Sequence, residues 1–388
     1  MNYALNSLIC KVKQTRCALL PAIALALSVP ARTAPTDYTL TVVATTGDTI
    51  SGKTLTGFKL PSFGANSPAI NSNGNVAFYA TYAEGVYVGE GIFTPTSLVL
   101  KTGDVIRGQT LDGIGFVPAL NDAGTVVARG LLSSGASAVL TTTALLAKTG
   151  DTIGGETLTD LGIPAIDNNG RVAFVGSFSG GAGIFTQAAL LAKSGQLIAG
   201  QTLDSFGSPV VNDRGMIAFQ SWLSGGIASA IFTPTALLVK TGDTIRGKTL
   251  TNLFFGPALN SAGTVAFMGA FSGGTGVFTQ KSLLVQAGDT IGGQTLTSFG
   301  SPVINDSGIV AFFATCRRGA GIFTQTSLIV KTGDAICGRA VIGMGQPAIN
   351  SDGLVVFAAL FSDGSSAIML ARPKVTPAQS WNHSWPDQ

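Results

Sequence analysis

Histidine is nearly absent: the 388 residues hold one, His383, close to the C-terminus. This excludes Ser-His-Asp and Cys-His nucleophile sites from the body of the chain, and any His-rich zinc centre. Cysteine is scarce, at four residues with no Cys-x-x-Cys spacing. Charge is sparse too. Lys, Arg, Asp and Glu make up 11%, against about 25% in an ordinary globular domain. No Walker-type loop occurs, and no stretch holds a helical period. Glycine pairs such as Gly154-Gly155 therefore read as turns, with no helix to receive a phosphate.

What is present is apolar and rich in glycine: 45% hydrophobic residues and 51 glycines. That balance points to many short strands joined by tight turns, an all-β chain. The start of the sequence reads differently. Lys11, Lys13 and Arg16 precede a short apolar run from Cys17 to Val29, followed by the small-residue segment Val29-Pro30-Ala31. This is the pattern of a signal peptide over residues 1–31, with a short linker at 32–37. The run is shorter than the ~20 residues a bilayer span needs. Removing the three basic residues of the leader leaves 20 basic against 20 acidic residues. A neutral domain with interspersed charges offers no field for nucleic acid or anionic lipid. The expected protein is secreted, extracellular or periplasmic, monomeric, and without a membrane span in its mature part.

Self-comparison carries the fold. Pro-Ala/Val-apolar-Asx-x-x-Gly recurs seven times, from Pro68, Pro118, Pro164, Pro209, Pro257, Pro302 and Pro347. The turn pairs are Asn71/Gly74, Asn121/Gly124, Asp167/Gly170, Asn212/Gly215, Asn260/Gly263, Asn305/Gly308 and Asn350/Gly353. An Asx side chain can cap such a turn by accepting an amide two residues on, and Gly tolerates the positive φ at its end. Each copy then runs through an apolar strand, a Gly-rich hairpin, a short strand, and a strand ending in Thr-Gly-Asp. A longer loop, typified by Thr290 to Gly300, leads to the next proline. Four strands per unit of about 45 residues make a propeller blade. The last copy ends without its fourth strand, and the chain opens with Val42 to Asp48, which matches that strand elsewhere. The expectation is a seven-bladed β-propeller of four-stranded antiparallel blades over residues 38–372, closed by the N-terminal strand completing the last blade. A polar tail fills 373–388.

The run Asn-x-x-Gly-x-Val-Ala-Phe, as in Asn260 to Phe267, resembles the NxxGxVAF tandem-repeat family of bacterial exported "choice-of-anchor" proteins. The resemblance covers all seven copies. It implies an exported protein tethered at the surface through a C-terminal anchor. Two departures stand out: Ala128 replaces Phe in the second copy, and no apolar sorting helix follows Arg372.

Repeat positions read as scaffold. Lys101, Lys148, Lys193, Lys240 and Lys331 recur on the fourth strand, where lysine discourages edge pairing. The Gly-Asp pairs supply one isolated carboxylate per copy, too few for Ca²⁺, which needs 6–8 oxygens. No metal and no cofactor is expected. Function is sought where copies differ. The first is longest: Gly47 to Asn71 spans 24 positions, against 17 or 18 elsewhere. Its extra residues lie around Lys59, and its hairpin, Tyr82 to Gly91, is enlarged. Tyr79, Tyr82 and Tyr87 with Glu84 and Glu90 form a candidate binding surface for a glycan or a surface protein, joined by Trp222 on the same face of the fourth copy. Cys316 and Cys337 occupy unusual positions one loop crossing apart and could form a disulfide. The leading function is a non-enzymatic binding module. One alternative is a carbohydrate-active enzyme (glycoside hydrolase or lyase) using acidic loop residues such as Glu84 and Glu90. The other is a structural envelope or matrix protein.

Overall fold

The computed structural model describes residues 37–58, 67–226 and 228–374. The expected leader, most of the linker and the C-terminal tail lie outside the described residues, as does Lys59. The described residues are all strand and turn, arranged in seven antiparallel sheets.

Each sheet is a blade with strands a, b, c and d from the axis outwards. In blade 1 these are a, in two pieces (Lys53–Gly57 and Ala69–Ile70), b (Val76–Glu84), c (Tyr87–Phe93) and d (Leu98–Lys101). Both pieces of a pair with b, at its end and at its start. In blade 5 the two pieces fuse into one strand, Lys248–Leu259. The stretch read as a long loop before each proline is therefore structured. It holds a two-residue ribbon strand, such as Thr290–Ile291, and the first half of the inner strand, Gln294–Phe299. The ribbon turns on residues with positive φ, as at Ser51 (50°) and Gly52 (75°). Positive φ at both central residues is what a two-residue type I′ turn demands. Pairs this short leave no alternation for sequence reading to detect.

The seventh blade closes as expected. Strand b, Val355–Phe361, pairs with strand c, Ser366–Pro373, which pairs with the first strand of the chain, Tyr38–Thr45, from Tyr38↔Pro373 to Thr45↔Ala367. Two ends more than 300 residues apart are thereby held in one sheet.

The core consists of seven separate clusters, one in each space between neighbouring blades. The Val-Ala-Phe of strand b explains them. Side chains alternate across a strand, so Phe267 faces blade 4 while Ala266 faces blade 6. Strand c supplies a second ring beside the first: Phe267 and Phe278 stack with centroids 5.7 Å apart. The same stack recurs as Phe78–Phe93, Phe174–Phe185, Phe219–Phe232 and Phe312–Phe323. A two-ring face packs against an aliphatic face at these seams, as Phe267 and Phe278 do against Ala218, Ile231 and Val239. Blade 2 carries Ala128 opposite Leu140 at these positions.

The repeated polar residues also find their work. In each Lys-Thr-Gly-Asp turn the aspartate accepts the backbone amide three residues earlier, as Asp104 does from Lys101 at 2.9 Å. Gln196 performs the same capping from its amide oxygen. The strand-d lysines reach the same carboxylates, as in Lys331–Asp334 at 2.9 Å; Lys193 instead pairs with Glu156.

Candidate functional site

Two places differ from plain scaffold: the lengthened hairpin of blade 1 and the axial end of the ring.

Strand b of blade 1 has nine residues, against seven in each of the other blades. The extension adds the pairs Ala83↔Val88 and Glu84↔Tyr87, turned by Gly85 at φ 61°. Gly at the first central position is the type II′ signature. The added tip is apolar and open: Val86, Tyr87 and Val88 are 91%, 77% and 66% exposed. Glu84 is exposed and takes Lys53 Nζ at 2.5 Å. That bond, with the Lys53 charge, holds its carboxyl below the usual range. Lys53 also lies over the Tyr82 ring, 5.0 Å from its centroid.

The three tyrosines do not form one surface cluster. Tyr82 and Tyr79 are buried in the blade, at 0% and 4% exposure. Tyr82 packs edge-on to Phe93, and Tyr79 edge-on to Phe116 of blade 2. Burial, with Glu84 nearby, pushes the Tyr82 phenol up to about 12, and burial with Glu90 raises Tyr79 further. Neither ring is a contact surface; of the three tyrosines only Tyr87 is presented. Alternation puts Tyr82 on the face of strand b that carries Phe78 and Tyr79 on the opposite one, and each face packs against a neighbouring blade. Glu90 lies on strand c opposite Thr81. Trp222 is 40% exposed on strand b of blade 4, three blades away, and the fold does not bring it to the blade 1 tip. The insertion around Lys59 is flanked by Gly57 and Ala69, both on the inner strand, rather than by the hairpin face.

The structure does not join Cys316 and Cys337 in the expected disulfide. Cys337 sits in the ribbon turn of blade 7 with φ 50° and is exposed, whereas Cys316 ends strand b of blade 6, half-buried. Burial pushes the Cys316 thiol up, against a smaller opposing pull from Lys331.

At the other end, the seven Asx turns surround the axis and line a cavity of about 220 Å³. The glycines Gly74, Gly124, Gly170, Gly215, Gly263, Gly308 and Gly353 end these turns with φ between 77° and 81°. Each donates its amide to the Asx carbonyl three residues earlier, at 2.8–3.1 Å. Their part is to set the backbone course: the cavity wall is formed by Asn71, Asn212, Asn260, Asn305 and Asn350 and by residues beside all seven Asx positions, and these glycines do not belong to it. The Asx backbone carbonyl closes all seven turns, and the expected side-chain cap two residues on is made as well at Asp167, Asn212 and Asn350.

Those side chains do more than cap. Each Oδ1 accepts the amide four residues on, as Asn71 does from Asn75 at 2.9 Å; a bond two residues on is added at Asp167, Asn212 and Asn350. The amide nitrogen then donates to the backbone carbonyl of the next blade's Asx residue. This runs from Asn71 to Asn121, Asn121 to Asp167, Asn212 to Asn260, Asn260 to Asn305, Asn305 to Asn350, and Asn350 back to Asn71, at 2.8–3.3 Å. All seven Asx residues are buried. The belt closes the ring a second time, independently of the N-terminal strand. It breaks only at Asp167, which has no amide to donate. The residues after the Asx form an outer polar rim that includes Asp122, Asp213 and Asp306. Burial, together with Asp122, Asp306 and Asp167, raises the Asp213 carboxyl. The belt was signalled by seven short polar residues at one repeat position, but its inter-blade half depends on ring curvature that spacing does not express.

The architecture defines a seven-bladed β-propeller. The chain belongs to a family of unknown function, DUF7453, whose model matches residues 32–180 and 137–368. No curated protein matches the chain. Among solved structures, an oligogalacturonate lyase in complex with manganese is 10% identical, with a TM-score of 0.50, covering 88% of this chain and 99% of that one. PorZ, a surface component of the type-IX secretion system of Porphyromonas gingivalis, is 12% identical with a TM-score of 0.43, covering 81% of this chain and 48% of that one. YCF48 from Cyanidioschyzon merolae is 12% identical with a TM-score of 0.40, covering 81% and 97%. At these identities the likeness is one of fold.

Proposed function

We propose that this protein is an exported, non-enzymatic binding module that engages a surface protein through the hairpin tip of blade 1. The observation that carries this reading is the open apolar triplet Val86-Tyr87-Val88, at the tip of the longest strand b among the seven blades. An exposed aromatic flanked by aliphatics, with an ion pair at its base, has the make-up of a protein-contact hot spot and its polar rim. A protein partner suits it better than a glycan, because the rings expected to stack on sugar are buried and only Tyr87 is offered. The enzymatic alternative loses support for a related reason: Glu84 is committed to Lys53 on an exposed tip.

The test is a binding screen against surface proteins and a glycan array, run with the wild-type chain and with Val86→Ser/Tyr87→Ser/Val88→Ser. A protein ligand whose affinity falls at least tenfold in the triple variant supports the site. A ligand bound equally by both chains refutes the assignment, and a glycan hit lost in the variant replaces the protein partner.

A further inference from the structure

The belt of Asx residues has one irregular link, and its chemistry points to a ligand. At six seams an asparagine amide bridges to the next blade's carbonyl. Asp167 keeps the half of the arrangement common to all seven turns, its Oδ1 accepting the amides of Asn169 at 2.9 Å and Arg171 at 2.8 Å. With Oδ1 so engaged, the register of the belt assigns Oδ2 the position that Nδ2 holds in the sister residues, on the side of the Asn212 carbonyl. Asp167 is 1% exposed, and this oxygen has no hydrogen-bond partner. A buried carboxylate oxygen on the side of a carbonyl oxygen, with no donor between them, is a costly arrangement unless a positive centre joins them.

The neighbouring cation does not fill that role. The Arg171 guanidinium reaches across the seam to the carbonyl of Gly215 at 3.0 Å. A further oxygen donor stands close by. Asp213 Oδ1 accepts the Asn168 amide at 3.2 Å, which ties the carboxylate following Asn212 to the residue following Asp167.

We infer that the seam between blades 3 and 4 binds one hard metal cation, of the calcium type, through the Asp167 carboxylate, the Asn212 carbonyl and the Asp213 carboxylate. The donor set is all oxygen, which selects against zinc and other soft metals. Calcium accepts 6–8 oxygens in irregular geometry, and the adjacent axial cavity has room for the waters that complete its shell. Among the described residues no three acidic, histidine or cysteine side chains converge on one point. The site therefore depends on a backbone carbonyl and binds weakly, at about 10⁻⁴–10⁻³ M, as extracellular modules do.

The experiment is thermal unfolding and calorimetric titration of the full chain with CaCl₂ at constant ionic strength after chelator treatment. The wild type binds one calcium per chain, and its unfolding midpoint rises with calcium. At ten times the dissociation constant the folding equilibrium constant gains about tenfold. Asp167→Asn folds, since asparagine stands at this position in six sister turns; it loses the bound ion and the calcium response. Asp213→Ser, which installs the residue type of positions 72, 261 and 351, keeps the fold and weakens the response. No bound ion in the wild type overturns the inference, as does an undiminished response in Asp167→Asn.

Discussion

Single side chains in this ring act across blades, and their energetics follow from burial. Asn305 receives the Ile309 amide at 2.8 Å and donates to Asn350 at 3.1 Å. Asn305→Ala leaves the Ile309 amide without its acceptor and takes one of two donors from the Asn350 carbonyl, which keeps the Gly353 amide; a buried group left unpaired costs about 1–3 kcal/mol. Denaturant unfolding should show a loss of that order; an unchanged midpoint would mean that the belt contributes nothing. Tyr82 gives a pH signature. Its folded pKa of about 12 lies above the ordinary value of 10, so the folded state holds its proton more tightly than the unfolded chain. The associated stability is full below pH 10 and is lost as pH rises from 10 towards 12. Denaturation followed across that alkaline window should fall off less steeply in Tyr82→Phe than in wild type. Asp160 works at the acid end with the opposite sign. Burial pushes its carboxyl up, but Ser137, Arg129 and the Leu161 amide outweigh burial and hold it below 3.8. Its contribution is present above that value and is lost as pH falls through the folded pKa. Asp160→Asn should flatten the acid limb of the stability profile.

At the scale of the element, strand b decides the packing and the blade 1 hairpin decides the exposure. Phe267 is fully buried and stacks on Phe278 across one seam, so Phe267→Ala should cost about 3–5 kcal/mol, as large aromatic truncations in cores do. The tip residues should behave oppositely. Serines at Val86, Tyr87 and Val88 remove no core contact, so each change should stay within about 0.5 kcal/mol in the same unfolding assay. Strand b was legible because Val-Ala-Phe recurs with period two and β-branched or aromatic character. The ribbon and the first half of strand a were not. Their pairs are two residues long, they carry Thr, Gly and Gln, and their positive-φ turns include Arg107, Ala199 and Arg246, residues that carry no turn signal. The candidate surface was legible in part. The lengthened hairpin shows in the sequence, but which of its tyrosines face solvent depends on the register of Val76–Glu84 against its neighbours. Cys316 and Cys337 show the same limit: proximity inferred from repeat position left out the half-buried strand end of one and the exposed turn of the other.

For the whole molecule, the ring is closed twice, by the first strand pairing with Ser366–Pro373 and by the Asn350-to-Asn71 link of the belt. Each seam has its own core cluster, so no single hydrophobic centre holds the blades together. A ring of this kind should nonetheless melt as one unit, because opening any seam exposes two blade faces at once. Closure was readable because one repeat is divided between the chain ends. The belt was not, since it arises only when seven turns meet around an axis. The most direct measurement is calorimetric unfolding of the chain with residues 38–48 deleted, compared with the intact chain. Closure by the N-terminal strand predicts that the deletion lowers the transition sharply and broadens it, or abolishes folding. An unchanged, cooperative transition at the wild-type midpoint would contradict it.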